Sequence, residues 1–310
     1  MIRLGTRASA LALAQTGLVA AALREGGAEV EIVPMRTEGD RLLASRLADI
    51  GGKGLFVREL EQALLEGRID VAVHSLKDLP AELPPGLELA AFPPRADARD
   101  VLVTRHGGGF ENLPEGAVVG TSSARRRAIA LALRPDLGFD AIRGNVDTRL
   151  RKLDAGACDA LILAAAGLAR LSLAPSRAVP LAADVFIPAV GQGILGVEVR
   201  ADDTRVRALV SRLDHVDTRS CALAERAYLW RLGASCNTPM AAHAVVEHGA
   251  PGVRLAMTAL VASDDGRRIL RADAAGDPAD AASVGRWLAE LLLDQGAEDV
   301  APLDPGRRQA

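Results

Sequence analysis

The first ninety residues alternate short β-branched segments with helical patterns. Ile2 to Gly5, Val30 to Pro34 and Ile69 to His74 have the composition of buried strands. Between them, Ser9 to Arg24 and Leu55 to Glu66 carry apolar residues at helical spacing. Strand, helix and strand in succession form βαβ units, so the pattern predicts a largely parallel sheet flanked by helices. Ligands of such folds bind at the carboxyl edge of the sheet.

The same alternation resumes after a segment rich in proline and charge, Pro93 to Asp100, which we interpret as a hinge before a second α/β domain. After residue 193 the composition predicts a short strand, Leu195 to Val199, and the chain is predicted to return to the first domain there. Three domains are therefore expected: residues 1–94 with 194–214, residues 95–193, and residues 215–310.

Beyond Cys236 the pattern changes to alternating strands. Ser263 to Gly266 has the composition of a hairpin turn, and Ala281 to Leu293 has the spacing of a closing helix. The last part of the chain is therefore predicted to be an α+β domain with a small antiparallel sheet. In the second domain, Ser123 and Asn145 each stand directly before a predicted helix, where their side chains are expected to cap it.

The charge balance excludes several classes of partner. The formal net charge is −3, which argues against a nucleic-acid binder, and 3% aromatic residues offer few surfaces on which bases stack. No segment approaches the roughly 20 apolar residues of a membrane span, and the start of the sequence lacks the order of a signal peptide. We expect a cytoplasmic protein that binds neither membranes nor nucleic acids.

Lysine is rare, because 34 of the 37 basic residues are arginine. Two of the three lysines lie where chemistry is expected: Lys53 is flanked by glycines, and Lys77 follows the third predicted strand. Ser75 and Asp78 lie beside Lys77, so that strand delivers a hydroxyl, an ammonium and a carboxylate to the sheet edge. Lys152 is interpreted as a surface residue of a helix. His74 is expected to be a buried hydrogen-bonding residue.

Arginines recur at the predicted sheet edges and helix starts, at Arg7, Arg125, Arg126, Arg127, Arg143, Arg149 and Arg170. In an acidic protein this clustering predicts a multiply anionic ligand, since the guanidinium fork binds carboxylates and phosphates in bidentate fashion. The choice between carboxylate and phosphate stays open. Neither a P-loop nor a GxGxxG motif follows a strand, and no spacing indicates a metal site.

The three cysteines form no disulfide framework and no zinc motif. Cys158 and Cys221 lie in apolar surroundings and are expected to be buried. Cys236 lies instead in a small, polar loop that ends in proline, where a thiol would be exposed. Local pattern alone leaves open whether this thiol reacts.

Seven motifs in order resemble those of the porphobilinogen deaminase family, over essentially the whole chain. They are Thr6-Arg7-Ala8-Ser9, Gly51-Gly52-Lys53-Gly54-Leu55-Phe56-Val57, Val73-His74-Ser75-Leu76-Lys77-Asp78, Gly120-Thr121-Ser122-Ser123-Ala124-Arg125-Arg126, Arg143-Gly144-Asn145-Val146-Asp147-Thr148-Arg149, Pro188-Ala189-Val190-Gly191-Gln192-Gly193, and Ala224-Glu225-Arg226-Ala227 followed by Cys236.

The resemblance implies two hinged α/β domains like those of periplasmic binding proteins, plus a C-terminal α+β domain. It implies an enzyme of haem biosynthesis that condenses four porphobilinogen molecules head to tail into hydroxymethylbilane and releases ammonia. The family uses no metal. Its cofactor is one covalent dipyrromethane per chain, held by a thioether that maps to Cys236, and its catalytic carboxylate maps to Asp78. We expect a monomer.

The resemblance also implies a set of residues that bind the carboxylates and pyrroles of cofactor and substrate. These are Arg7, Ser9, Lys53, Ser75, Lys77, Thr121, Ser122, Ser123, Arg125, Arg126, Arg143, Asn145, Arg149, Arg170 and Gln192. Two positions depart from the family pattern. Asp49 stands where some members have lysine, and Ser235 stands where glycine commonly precedes the cysteine.

One alternative comes from a different class of protein. Two hinged α/β lobes also describe binding modules that close on small anions without catalysis. Such a module has no need of an exposed loop thiol, so the chemistry at Cys236 separates the two interpretations.

Overall fold

The computed structural model describes residues 1–35, 52–234, 238–250 and 252–304, and the side chains of residues 52–56 lie outside this description. The chain divides into two compact units. The first unit contains Met1–Arg95 and Ile194–Arg219, and the second contains Ala96–Gly193 and Ser220–Ala310. The division into three domains at residues 94, 193 and 214 stays a prediction.

The described strands, numbered in chain order, are β1 (Ile2–Arg7), β2 (Val30–Met35), β3 (Val71–Ser75), β4 (Leu87–Ala91), β5 (Asp100–Thr104), β6 (Val118–Gly120), β7 (Gly138–Asp140), β8 (Ala160–Ala164), β9 (Ala178–Pro180), β10 (Leu195–Arg200), β11 (Met240–Gly249), β12 (Gly252–Ala262) and β13 (Ile269–Gly276). The described α-helices are α1 (Ala10–Glu25), α2 (Gly52–Leu65), α3 (Ala124–Leu133), α4 (Val146–Asp154), α5 (Ala165–Arg170), α6 (Thr204–Val210), α7 (Val216–Leu232) and α8 (Ala281–Asp294).

The first unit is built on a five-stranded sheet in the order β2-β1-β3-β10-β4. β1 pairs in parallel with β2 and with β3, which confirms the predicted βαβ arrangement. β10, however, runs antiparallel to both β3 and β4. The composition of Leu195 to Val199 predicted a strand correctly, but a local pattern does not encode the direction in which the chain enters a sheet.

In the first unit, helix α1 begins at the position that the sequence predicted, whereas helix α2 begins before its predicted start. The Ser9 side chain caps α1 by accepting a hydrogen bond from the Ala12 amide at 3.3 Å. The helix that was predicted to begin at Leu55 begins instead at Gly52, the first residue of α2. Lys53 therefore lies in the first turn of a helix and not in a glycine loop. The first turn makes few intrahelical N–H bonds, so glycine is tolerated there.

The second unit contains another five-stranded sheet, in the order β7-β6-β8-β5-β9. β6 pairs in parallel with β7 and β8, whereas β5 is antiparallel to β8 and β9. Ser123 caps α3 as predicted, since its hydroxyl accepts a hydrogen bond from the Arg126 amide. Asn145 occupies the cap position of α4 without a side-chain cap bond. The interpretation of Asn145 as a side-chain cap was therefore wrong.

The C-terminal part of the second unit forms the predicted small antiparallel sheet, β11-β12-β13. Helix α8 packs against β12 and β13. Gly266 closes the predicted hairpin with φ of 68°, and a Cβ atom there would lie 2.3 Å from the Ala128 carbonyl oxygen of α3. Leu260 and Ala241 also share one buried cluster with Leu102 of β5. The predicted fold class, α/β with a C-terminal α+β part, is confirmed.

Candidate active site

A short 3-10 turn, Leu76–Asp78, follows β3 and presents Lys77 and Asp78. Leu76 and Leu79 are each 2% exposed and fix the turn to the core, and the Leu76 amide donates to the Ile194 carbonyl at 3.0 Å. Lys77 and Asp78 stay half-buried. The turn therefore holds an ammonium and a carboxylate at the carboxyl end of a central strand, as the sequence predicted.

Ser75 ends β3, and its hydroxyl accepts a hydrogen bond at 2.8 Å from the side-chain amide of Gln15. Gln15 is 4% exposed and was not among the predicted residues. The one signal for it was a polar residue among the apolar positions of α1. Arg7 ends the neighbouring parallel strand β1 and is half-buried, and Ser9 follows it as the helix cap. Arg7, Ser9, Ser75, Lys77 and Asp78 thus share one sheet edge.

A buried acidic cluster that the sequence did not predict lies in the first unit. His74, which is buried as expected, forms a 2.9 Å hydrogen bond through Nε2 with Glu198 Oε2 on β10. Glu61 of α2 is 5% exposed, and its Oε1 has no hydrogen-bond partner among the described residues. Burial first, and then the Glu198 carboxylate, raise the pKa of Glu61 to about 7, against the opposing effect of His74 and Arg58.

Glu61→Gln is expected to change the pH dependence of stability. Because the pKa of Glu61 is higher in the folded chain than its ordinary 4.5, the folded state loses stability as pH rises from about 4.5 through 7. The loss is on the order of 2 to 3 kcal/mol, and glutamine cannot undergo it. From pH 5 to pH 8 the melting temperature of Glu61→Gln should therefore rise by roughly 5 °C relative to wild type.

The matched control is Glu59→Gln on the same helix, measured over the same pH range. A Glu61→Gln difference from wild type that stays constant between pH 5 and pH 8 would contradict the raised pKa. Thermal unfolding followed by circular dichroism gives both values.

In the second unit, Thr121, Ser122 and Ser123 connect β6 to the N-terminus of α3. Thr121 is buried, Ser122 is exposed, and the Ser123 amide donates to Thr121 Oγ1 at 3.2 Å. These residues line a surface groove of about 420 Å³, together with Ala124, Arg127, Phe139, Ala141 and Asp264. Hydroxyl groups beside a helix N-terminus favour an anion.

Two of the predicted ligand-binding arginines are engaged inside the second unit. The guanidinium groups of Arg125 and Arg126 both bind the carboxylate of Asp100, at 2.7 and 2.6 Å. The surface residue of this run is Arg127, which pairs with Asp264 at 3.0 Å. The sequence did not identify Asp100 as the partner.

Two other arginines carry their charge without a carboxylate within 4 Å among the described residues. Arg149 donates to the Gly144 carbonyl at 2.8 Å, and Arg170 donates to the Gly193 carbonyl at 2.6 Å. Burial lowers the pKa of Arg170 to about 10. Burial, followed by the charge of Arg126, lowers the pKa of Arg149. Both groups suit a ligand that brings its own carboxylates.

The remaining predicted residues lie on the surface, in the interior or outside the described part of the chain. Arg143 and Asn145 are exposed at the start of α4. Gln192 is 1% exposed, and its amide donates to the Ala98 carbonyl at 2.7 Å and to Asp100 at 3.1 Å. Cys236, the Lys53 side chain, Asp49 and Ser235 lie outside the described residues. Within the described part of the chain, no three His, Cys, Asp or Glu side chains are grouped to hold a metal, and no helix could span a membrane.

Each of the two α/β units thus carries cations and hydroxyls at one edge of its sheet, a combination that is typical of α/β proteins that bind anions. Residues 2–208 match the family model of the porphobilinogen deaminase dipyromethane cofactor binding domain. Residues 219–294 match that of the porphobilinogen deaminase C-terminal domain. The chain belongs to the porphobilinogen deaminase family. It is a transferase of tetrapyrrole biosynthesis with a dipyrromethane cofactor, and not an anion-binding module without catalysis.

Curated relatives agree over nearly the full length. The porphobilinogen deaminase of Syntrophotalea carbinolica is 49% identical over 98% of this chain and 96% of the relative. That of Syntrophobacter fumaroxidans is 48% identical over 97% of this chain and 96% of the relative. Among solved structures, a periplasmic substrate-binding protein from Coxiella burnetii is 18% identical and covers 69% of this chain and 92% of its own, with a TM-score of 0.42. A likeness of that degree carries no functional argument.

Proposed function

We propose that the condensation of porphobilinogen takes place at the edge of the first sheet, with Asp78 as the catalytic residue. The observation that carries this proposal is the fixed turn Leu76–Asp78, which holds a half-buried carboxylate beside an ammonium between two buried leucines. Incubation with porphobilinogen tests it. The enzyme should release one ammonia for each porphobilinogen consumed and form hydroxymethylbilane, whereas binding without consumption would contradict it.

The carboxylate of Asp78 suits the reaction because an ionised carboxylate only accepts hydrogen bonds. It would accept from the pyrrole N–H of the incoming porphobilinogen. As the aminomethyl carbon–nitrogen bond breaks and ammonia leaves with the electron pair, positive charge develops on that pyrrole, and a fixed negative charge nearby stabilises it. The receiving pyrrole carbon then forms the new carbon–carbon bond and releases a proton. The dipyrromethane, when bound, supplies the first such carbon.

We further propose that Cys236 forms the thioether to the dipyrromethane. A thiolate is a strong nucleophile toward electrophilic carbon, so a cysteine suits a covalent anchor. The two other cysteines support this assignment, because Cys158 and Cys221 are only 3% and 5% exposed. Neither can accept a bulky dipyrrole without displacing core side chains.

The predicted cations would bind the carboxylates of the growing chain. Arg149 and Arg170 are the strongest candidates, because neither has an acidic partner among the described residues. Arg149→Leu is expected to reduce the share of chains that carry the dipyrrole, or to raise KM for porphobilinogen, by roughly 10- to 100-fold. A hydrogen bond to a charged group is worth about 1.5–3 kcal/mol. Intact mass and steady-state kinetics measure both effects.

The matched control is Arg151→Leu on the same helix, whose side chain is 74% exposed and, among the described residues, contacts Asp147 and Thr148. This variant should behave as wild type. Equal behaviour of Arg149→Leu and Arg151→Leu would remove Arg149 from the binding site.

The other predicted binding residues keep their proposed roles: Arg7, Ser9, Lys53, Ser75, Lys77, Thr121, Ser122, Ser123, Arg126, Arg143, Asn145 and Gln192. Arg125 would act from inside the second unit, because its guanidinium binds Asp100 and the Ile187 carbonyl. We also propose a three-domain monomer that acts in the cytoplasm and needs neither nucleic acid nor a membrane. The negative net charge supports the part of this proposal that concerns nucleic acids.

A further inference from the structure

We propose that Asp100 is a positioning residue of the anion site in the second unit: it fixes the position and plane of the Arg126 guanidinium, with Arg125 as the internal partner of its other oxygen. This proposal rests on the proposed function, since it assigns Arg126 and Arg149 to the cofactor's carboxylates. Nothing in the sequence motif includes Asp100, which stands at the first position of β5.

Asp100 is fully buried and divides its two oxygens between two arginines. Oδ1 accepts from Arg126 Nε at 3.1 Å and from Arg126 Nη2 at 2.6 Å. The amide of Gln192 donates to the same oxygen at 3.1 Å. Oδ2 accepts from Arg125 Nη2 at 2.7 Å. The two-point contact with Arg126 fixes both the position and the plane of that guanidinium.

The two arginines differ in what they leave for a ligand. Arg125 is 5% exposed, donates through Nη1 to the Ile187 carbonyl at 2.7 Å, and has its guanidinium carbon 5.8 Å from the centre of the Phe186 ring. Arg126 donates through Nη1 to the Ile162 carbonyl at 2.8 Å. A guanidinium has five N–H groups, so two of those on Arg126 remain without a partner among the described residues.

Arg149 adds to the positive charge of the second unit, because it donates to the Gly144 carbonyl and has no carboxylate within 4 Å among the described residues. Burial, followed by the charge of Arg126, lowers the pKa of the Arg149 guanidinium. Together Arg125, Arg126 and Arg149 carry three positive charges against one negative charge on Asp100, and this excess favours an added anion. Asp100 keeps the Arg126 guanidinium in place when no anion is bound.

An uncharged isostere should disrupt this arrangement in a specific way. Asparagine keeps the size of the side chain, but it offers one oxygen and one N–H₂ group, so a donor would face one of the arginines. Asp100→Asn also leaves the three cations unopposed. We expect the share of chains that carry the dipyrrole to fall at least tenfold and the melting temperature to fall as well.

The double variant Asp100→Leu/Arg125→Met separates positioning from charge balance. It has the same net charge as the wild-type cluster, but leucine has no oxygen to accept the hydrogen bonds from Arg126 Nε and Nη2. We expect it to regain much of the melting temperature and not the dipyrrole, as measured by intact mass and thermal unfolding of full-length protein. Asp100→Glu keeps the negative charge but displaces the carboxylate by the length of one methylene group. This variant should fold and show a raised KM for porphobilinogen.

Recovery of both melting temperature and dipyrrole in the double variant would show that Asp100 only balances charge, and would overturn the proposal. Normal loading and KM in Asp100→Glu and Asp100→Asn would do the same. Arg151→Leu should be fully loaded in parallel. A wild type that itself lacks the dipyrrole would instead overturn the proposed function, whereas loss confined to the Asp100 variants concerns Asp100 alone.

Discussion

Replacing Cys236 with serine is expected to abolish turnover and to leave the chain at its translated mass. A hydroxyl is far less acidic and less nucleophilic than a thiol, so serine cannot form the thioether. Without the anchored dipyrrole there is no first acceptor for porphobilinogen, and activity should fall by more than about 10²-fold. Intact mass, measured on protein from cells that make porphobilinogen, reports the lost cofactor directly.

Cys221→Ala is the matched control for this experiment. Cys221 lies in α7 and is 5% exposed, which leaves no room for a bulky dipyrrole, so its replacement should leave the cofactor in place. A Cys236→Ser chain that still carries the dipyrrole would contradict the assignment. Loss of the dipyrrole in Cys221→Ala alone would move the anchor to that residue.

Asp78→Asn is expected to keep the fold and the cofactor but to lose about 10²- to 10³-fold in turnover, the size of effect found when a group that stabilises developing charge is removed. Asparagine keeps a hydrogen-bond acceptor at the same place but lacks the negative charge. Single-turnover measurement of ammonia release separates this loss from a change in binding.

Glu82→Gln provides the control, because it neutralises an exposed carboxylate four residues further along the chain. It should retain wild-type turnover. If Asp78→Asn also turned over at a rate near that of wild type, Asp78 would lose its place as the catalytic carboxylate.

The parts of the fold that the sequence predicted are those in which local signals and tertiary structure agree. The period of the apolar residues and the position of Ser9 define α1, and both are properties of a few neighbouring residues. Strand direction is not such a property. β10 was predicted as a strand, but its antiparallel pairing with β3 depends on where the chain returns from, which no short window of sequence contains.

The same limit explains what was missed at the site. The motif around Arg125 and Arg126 indicated an anion, but their buried partner Asp100 lies 25 and 26 positions earlier, in a segment interpreted as a hinge. Glu61 and His74 come into one cluster with Glu198 only when β10 inserts beside β3. Contacts between residues that are so far apart in the sequence depend on the fold. The sequence therefore indicated which residues could bind an anion but not which partners they contact.

The family resemblance supplied what neither local pattern nor physical argument could. Local pattern left the reactivity of Cys236 open, and its motif context alone implied a covalent cofactor. For Asp78, in contrast, the sequence itself predicted the position at the end of a strand. The structure adds the buried leucines that fix the turn.

The most direct measurement is the intact mass of the wild-type enzyme after it is mixed with one to four equivalents of porphobilinogen, followed by peptide mapping. The account predicts a dipyrrole on the peptide that contains Cys236, and a ladder of heavier species that each gain one porphobilinogen minus ammonia. Porphobilinogen consumed without any such ladder, or a ladder carried by a peptide that lacks residue 236, would contradict it.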